Sequence, residues 1–205
     1  MRTELAPGLI YLPGFYDRAA QATLLADIRA VMAEAPLFTP RMPRTGQPFS
    51  VRMTNCGLLG WVSDVQGGYR YQPRHPETDR PWPAIPASVL RAWDEAGAYG
   101  HPPEACLVNF YSPEARMGLH QDRDEADLAA PVVSISLGDT GLFRFGGTSR
   151  GGGTKSLKLQ SGDVVVIGGA SRLAFHGIDR ILAGSSTLLG APGRINLTLR
   201  RVTLP

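Results

Sequence analysis

A chain of 205 residues, 43% hydrophobic and 19% charged, can bury a sizeable core and is too apolar for a disordered segment. No apolar run approaches membrane-spanning length. The opening Met1-Arg2-Thr3-Glu4 has no apolar secretory core, and Cys56 and Cys106 lack CxxC spacing, so the expectation is one cytoplasmic, monomeric domain with reduced thiols and no membrane partner. A formal charge of +3 and a pI near 9.1 permit a polyanionic partner without requiring one.

In chain order, residues 8–12 read as a short strand. Asp17 then caps an amphipathic helix carrying Leu24, Leu25, Ile28, Val31 and Met32 until Pro36 ends it. Residues 36–86 change character. Nine of the seventeen prolines fall there, with Phe49, Trp61, Tyr69, Tyr71 and Trp82. That is too irregular for regular packing and too aromatic for a linker, so it reads as an ordered lid with at most short strands, such as 50–53. Aromatic faces beside Arg41, Arg44 and Arg52 suit stacked bases and phosphates. Packing within the insert alone is the alternative.

A second helix spans 86–98. The period then changes, and 105–111, 132–137, 142–145, 156–159, 163–167, 172–175 and 194–202 read as strands. The fold class is therefore α+β, with N-terminal helices and a β-sandwich or jelly-roll catalytic half over 105–202.

Two stretches carry chemistry. His120 and Asp122, two apart in Leu119-His120-Gln121-Asp122, face one side of an extended backbone. A further neutral imidazole would complete the two-His-one-carboxylate set that holds non-haem Fe(II). His176 is the best third ligand, because His75 and His101 sit in proline-flanked loops. In Arg194-Ile195-Asn196-Leu197-Thr198-Leu199-Arg200 the even positions are polar and the odd ones apolar. One face thus presents two arginines, whose planar forks suit carboxylates. Asn109 and Tyr111 show the same parity. A solvated sheet face is the alternative.

Together these runs resemble the AlkB family, bacterial branch. The resemblance lies in Asn109-Phe110-Tyr111-Ser112-Pro113, Leu119 to Glu125, Ser134 to Gly138, Phe145-Gly146-Gly147, Gly162 to Val166, Ser171-Arg172-Leu173, His176-Gly177 and Arg194 to Arg200. Met53 to Gly57, Gly60-Trp61, Gly68-Tyr69 and Pro81 to Ala84 extend it, so that it runs from about residue 50 to 202.

The resemblance implies an Fe(II)- and 2-oxoglutarate-dependent dioxygenase on a double-stranded β-helix core with a nucleotide-recognition lid. It implies demethylation of 1-methyladenine and 3-methylcytosine in single- or double-stranded DNA, with RNA as a further candidate. O2 and 2-oxoglutarate would be consumed, and succinate, CO2 and formaldehyde released. It assigns His120, Asp122 and His176 to iron, and Asn109 and Arg200 to the near carboxylate of 2-oxoglutarate. Tyr111, Arg194 and Asn196 would hold the far carboxylate. Trp61 would stack on the flipped base, Tyr69, Tyr71 and Arg150 would engage the substrate backbone, and Asp124 with Glu125 would face the cationic methylated base. The rival reading keeps the iron chemistry and moves it to a protein side chain or a small molecule.

Overall fold

The structure, a computed structural model, describes residues 2–205. Strands β1 (Thr3–Ala6) and β2 (Leu9–Leu12) precede helix α1 (Arg18–Glu34), and β3 (Arg52–Gly57), β4 (Gly60–Asp64) and β5 (Gly68–Gln72) follow it. Helix α2 (Ala87–Ala92) continues into a π-turn over Trp93–Gly97. The rest is β6 (Ala105–Tyr111), β7 (Met117–His120), β8 (Val132–Gly138), β9 (Thr140–Phe145), β10 (Lys155–Leu159), β11 (Val164–Ile167), β12 (His176–Leu182) and β13 (Arg194–Arg200).

A seven-stranded sheet runs β1-β2-β11-β8-β13-β6-β3, and a four-stranded sheet runs β10-β9-β12-β7. This is the jelly-roll arrangement expected from the alternating patterns, with two core layers. On the outer face of the large sheet, Ile195, Leu197 and Leu199 of β13 and Val133, Ile135 and Leu137 of β8 bury against Leu24, Ile28 and Val31 of α1 and Val89 and Trp93 of the α2 region. The Asp17 carboxylate caps α1 by accepting from the Ala20 amide at 2.8 Å, closing one of the otherwise unpaired first-turn N–H groups. Between the sheets, Met53, Leu107, Phe143, Phe145, Ile178 and Ile181 form the second layer. Strand parity sends the even residues of β13 into that same space.

The structure corrects the strand expected at 172–175. A 3-10 turn occupies Gly169–Ser171, and β12 begins only at His176. Arg172 leaves the turn with its guanidinium buried against Ala130 and Asp122 carbonyls, which a regular strand would not allow. The 36–86 segment is also more regular than its prolines suggest. β3 is an edge strand of the large sheet, and β4 and β5 form a hairpin. The buried His75 ring ties the start of the segment to the turn at 75–78. Nε2 donates to the Pro36 carbonyl at 2.7 Å, and Nδ1 accepts the Glu77 and Thr78 amides at 3.1 and 3.2 Å. The ring also packs against Phe38 and Trp82. No helix among the described residues is long and apolar enough to cross a membrane.

Candidate active site

β7 and β12 pair antiparallel with His120 directly opposite His176. Their ring centroids lie 4.6 Å apart. Gly177 permits this approach, because a Cβ there would stand 2.4 Å from the Met117 carbonyl oxygen. Asp122 follows β7 and turns inward, so that ligand atoms of His120, Asp122 and His176 all fall within 4.8 Å of one another.

The protonation pattern of this cluster is legible. His120 Nδ1 lies 2.9 Å from the Gly118 carbonyl and His176 Nδ1 lies 3.0 Å from that of Ala174. Carbonyls accept, so each Nδ1 carries a proton, and in the neutral ring each Nε2 presents a lone pair. Both Nε2 atoms face Asp122, at 3.7 and 3.5 Å, too far for good hydrogen bonds. Asp122 Oδ2 is buried without any partner. Burial and the nearby His176 ring push the His120 pKa down, which favours the neutral imidazole. Burial alone would raise the Asp122 pKa, but Arg200 holds it well below the ordinary carboxylate range. With their Nε2 atoms free of protons, the two imidazoles and the carboxylate aim lone pairs at a common point, a donor set that fits a divalent cation.

Deeper in the same cavity, about 440 Å³ in volume, lie the polar residues of β13 and β6. Arg194 pairs in register with Tyr111 and Asn196 with Asn109. Arg194 is fully buried. Nη2 donates to Ser136 Oγ at 2.7 Å, Nη1 makes only long contacts to the Asp139 and Leu159 carbonyls, and Nε has no partner. No carboxylate bonds to it. Burial pushes its pKa down to about 10. The Tyr111 hydroxyl is pushed up to about 12, again chiefly by burial. Asn109 Oδ1 is likewise buried and unpaired. Asn196 donates to Ser134 Oγ and the Ile135 carbonyl. A buried cation beside unpaired polar atoms fits an anionic ligand, since leaving it unpaired is costly.

At the cavity mouth, Tyr69 stacks on Trp61 with centroids 5.6 Å apart and planes 20° from parallel. Trp61 Nε1 donates to Asp124 Oδ2 at 2.9 Å. Arg150 is exposed and places its guanidinium 5.2 Å from the Phe175 ring centroid.

Two expected positions are corrected. Glu125 does not face a base. Its side chain is fully enclosed, taking Arg200 Nη1 at 2.9 Å and the Tyr71 hydroxyl on Oε1, and Arg172 Nη2 at 3.0 Å on Oε2. Tyr71 for its part spends its hydroxyl on that carboxylate and Arg200 instead of a nucleic-acid backbone. The segment after β7 has no strand alternation: Asp122 and Glu125 both turn inward to Arg200, and Asp124 between them is exposed at the mouth. Arg200 also donates from Nη2 to Asp122 Oδ1 at 2.9 Å.

Three contributors were not singled out from the sequence. Ser136 holds Arg194. Gln121, between the two ligand residues, donates to the Leu173 and Thr148 carbonyls at 2.6 and 3.2 Å. Arg172 binds the Asp122 and Ala130 carbonyls at 2.6 and 2.8 Å. A cation set among apolar residues four places before His176 was the available signal for Arg172.

Residues 8–200 match the family described as the 2OG-Fe(II) oxygenase superfamily. The match therefore takes in the N-terminal helix, upstream of the run that carried the resemblance. The chain is 54% identical over 96% of its length to the alpha-ketoglutarate-dependent dioxygenase AlkB homolog of Caulobacter vibrioides, covering 89% of that protein. It is 30% identical over 96% of its length to the DNA N(6)-methyladenine demethylase ALKBH1D of Arabidopsis thaliana, spanning half of that protein. The solved structure of OsALKBH1 superposes with a TM-score of 0.81 at 30% identity, covering 98% of this chain and all of that one.

Proposed function

Because this chain belongs to the 2OG-Fe(II) oxygenase superfamily, and within it to the AlkB dioxygenases, we propose that it removes N-methyl groups oxidatively from cationic bases of nucleic acid, 1-methyladenine and 3-methylcytosine first among them. The observation that carries the reading is one cavity joining three convergent metal donors to an aromatic mouth with an exposed carboxylate.

His120 and His176 through Nε2, and Asp122 through Oδ2, would hold Fe(II). Arg194, with Tyr111 and Asn196 beside it, would bind the far carboxylate of 2-oxoglutarate. Asn109 and Arg200 would line the near end. When bound, Fe(II) and 2-oxoglutarate supply O2 activation, yielding succinate, CO2 and a hydroxylated N-methyl carbon that departs as formaldehyde. The chain's own work is placement. The Nδ1 hydrogen bonds fix both imidazole planes. The apolar Phe143, Ile178 and Leu107 around the donors keep bulk water from the reacting methyl group.

At the mouth, Trp61 offers a face for a base swung out of its stack, and Asp124 a negative charge beside it. Methylation at adenine N1 or cytosine N3 makes the base cationic and blocks its pairing, so it leaves the stack more readily and is drawn to Asp124. Arg150 and Tyr69 lie at the rim, where a phosphate chain would run. The relatives named as demethylases of DNA support a nucleic-acid substrate.

The test is anaerobic loading with Fe(II) and 2-oxoglutarate, then air and a 1-methyladenine oligonucleotide, with formaldehyde and restored adenine quantified together. Equal amounts of both are expected. An N6-methyladenine oligonucleotide, whose base is neutral, is expected to turn over more slowly. Succinate without base repair would sink the nucleic-acid reading and favour a protein side chain or a small molecule.

A further inference from the structure

Glu125 presents a puzzle that base recognition does not resolve. It is a carboxylate three residues from a metal-donor position, wholly enclosed, with both oxygens filled by cations and a phenol. Its partners form a ladder. Arg172 joins Glu125 Oε2, Glu125 Oε1 joins Arg200 Nη1, and Arg200 Nη2 joins Asp122 Oδ1.

The consequence lies in how the Arg200 fork is divided. A guanidinium next to one carboxylate ordinarily takes both its oxygens in parallel hydrogen bonds. Here one Nη goes to each of two carboxylates. Asp122 therefore gives up Oδ1 alone, and Oδ2 stays buried and unpartnered, 3.5 Å from His176 Nε2. Charge is divided evenly as well, with two guanidinium groups against two carboxylates. Arg172 braces the ladder from behind. Its remaining donors hold the Asp122 and Ala130 carbonyls, fixing the loop that carries Asp122 to the lead-in of His176.

We propose that Glu125 and Arg172 are positioning residues of the metal site: by holding Arg200 Nη1 away from Asp122, they reserve Asp122 Oδ2 for the cation. Without the Glu125 charge, Arg200 closes bidentately on Asp122, and a surplus positive charge remains beside the metal position. Both effects oppose cation binding. The inference rests on the assignment of His120, Asp122 and His176 to a metal.

The test reads metal affinity directly. Metal-free protein is titrated with Mn(II) and free ion is followed by electron paramagnetic resonance, with thermal unfolding recorded alongside. Glu125→Gln keeps the shape and removes the charge. It is expected to weaken Mn(II) binding about 10- to 100-fold, the usual cost of losing an outer-shell partner. A purely structural role would lower the melting temperature and leave Mn(II) affinity of the folded protein unchanged, and that result overturns the proposal. Should Glu125→Gln fail to fold, Arg172→Lys and Tyr71→Phe carry the test, since each removes one holder of Glu125. Several-fold weaker Mn(II) binding is expected of both, and wild-type affinity in both overturns the proposal. A wild-type protein that takes up no Mn(II) would refute the metal assignment itself. Wild-type uptake with an unaffected Glu125→Gln variant would refute only the role given to Glu125.

Discussion

Replacing Arg194 with methionine should separate folding from binding, with opposite signs. The side chain is fully buried and bonded to no carboxylate. Its pKa, pushed down to about 10 by burial, measures how poorly the interior tolerates the charge. Against an ordinary guanidinium value of about 12.5, and at about 1.4 kcal/mol per tenfold, the charged form costs about 3 kcal/mol. The sign follows from linkage. The folded pKa is the lower one, so the cost is fully present at neutral pH and fades only as pH rises through 10. Methionine removes the charge and keeps most of the volume, giving up the Ser136 hydrogen bond and leaving that hydroxyl to find another partner. These losses, about 1–2 kcal/mol, offset part of the gain. The ligand-free variant should therefore melt at the wild-type temperature or a few degrees above it, at about 2–4 °C per kcal/mol for a domain of this size. Its affinity for 2-oxoglutarate should fall at least about 30-fold, since losing one partner of a buried charge pair costs about 2–5 kcal/mol. Thermal melts in Mn(II), with and without 2-oxoglutarate, read both quantities. Wild type should gain stability on adding the ligand and the variant should not. A ligand-free variant that melts many degrees lower, or one that still responds to 2-oxoglutarate, would refute the reasoning.

Gly177→Ala should abolish Mn(II) uptake in a folded protein, because the new methyl meets a backbone oxygen at 2.4 Å and forces β7 from β12; uptake at wild-type strength would show that the strands can part without cost. Asp124→Asn should raise KM for 1-methyladenine oligonucleotides about tenfold while leaving succinate formation without nucleic acid unaltered, the cost of one lost charged contact; an unchanged KM would place the carboxylate outside base recognition. Glu104 is buried, and although burial favours protonation, its hydrogen bonds to Thr203 and Val202 hold its pKa below the ordinary value. A depressed carboxylate stabilises above its unfolded pKa and loses that contribution as pH falls through the folded value. Glu104→Gln should thus lower the urea midpoint at pH 7, and the gap from wild type should narrow under acid conditions; a gap independent of pH would show that the charge is irrelevant.

The parts of the site that strand alternation controls were legible in advance. Arg194, Asn196, Thr198 and Arg200 share a face because the period is two, and in-register pairing brings Tyr111 and Asn109 opposite them. The metal donors were legible as residue types in a plausible order. That His176 opens a strand instead of following one was not, because the apolar run 173–175 suits a buried turn as well as a strand. Treating Asp124 and Glu125 as a pair failed because the irregular segment after β7 turns Glu125 inward to Arg200 and leaves Asp124 exposed, which no period in the sequence signals. Arg172 was hidden because a buried cation is recognised by its acceptors, here the carbonyls of Asp122 and Ala130, and these come from forty to fifty residues upstream.

The His75 staple bears on how a nucleic acid gains entry. With the 75–78 turn clipped to Pro36, and Phe38 and Met53 exchanging backbone hydrogen bonds at 2.8 Å, a flap swinging as one body would have to break the large sheet at β3. The loops free of that constraint are the tips at 42–47 and 64–68. Amide exchange in heavy water should accordingly divide this segment. The tips should label on the timescale of local fraying, and β3 only through openings close to global unfolding. Admission of substrate then becomes a matter of two fingertips parting over a fixed palm, and sequence changes that retune access belong in those ten or so residues.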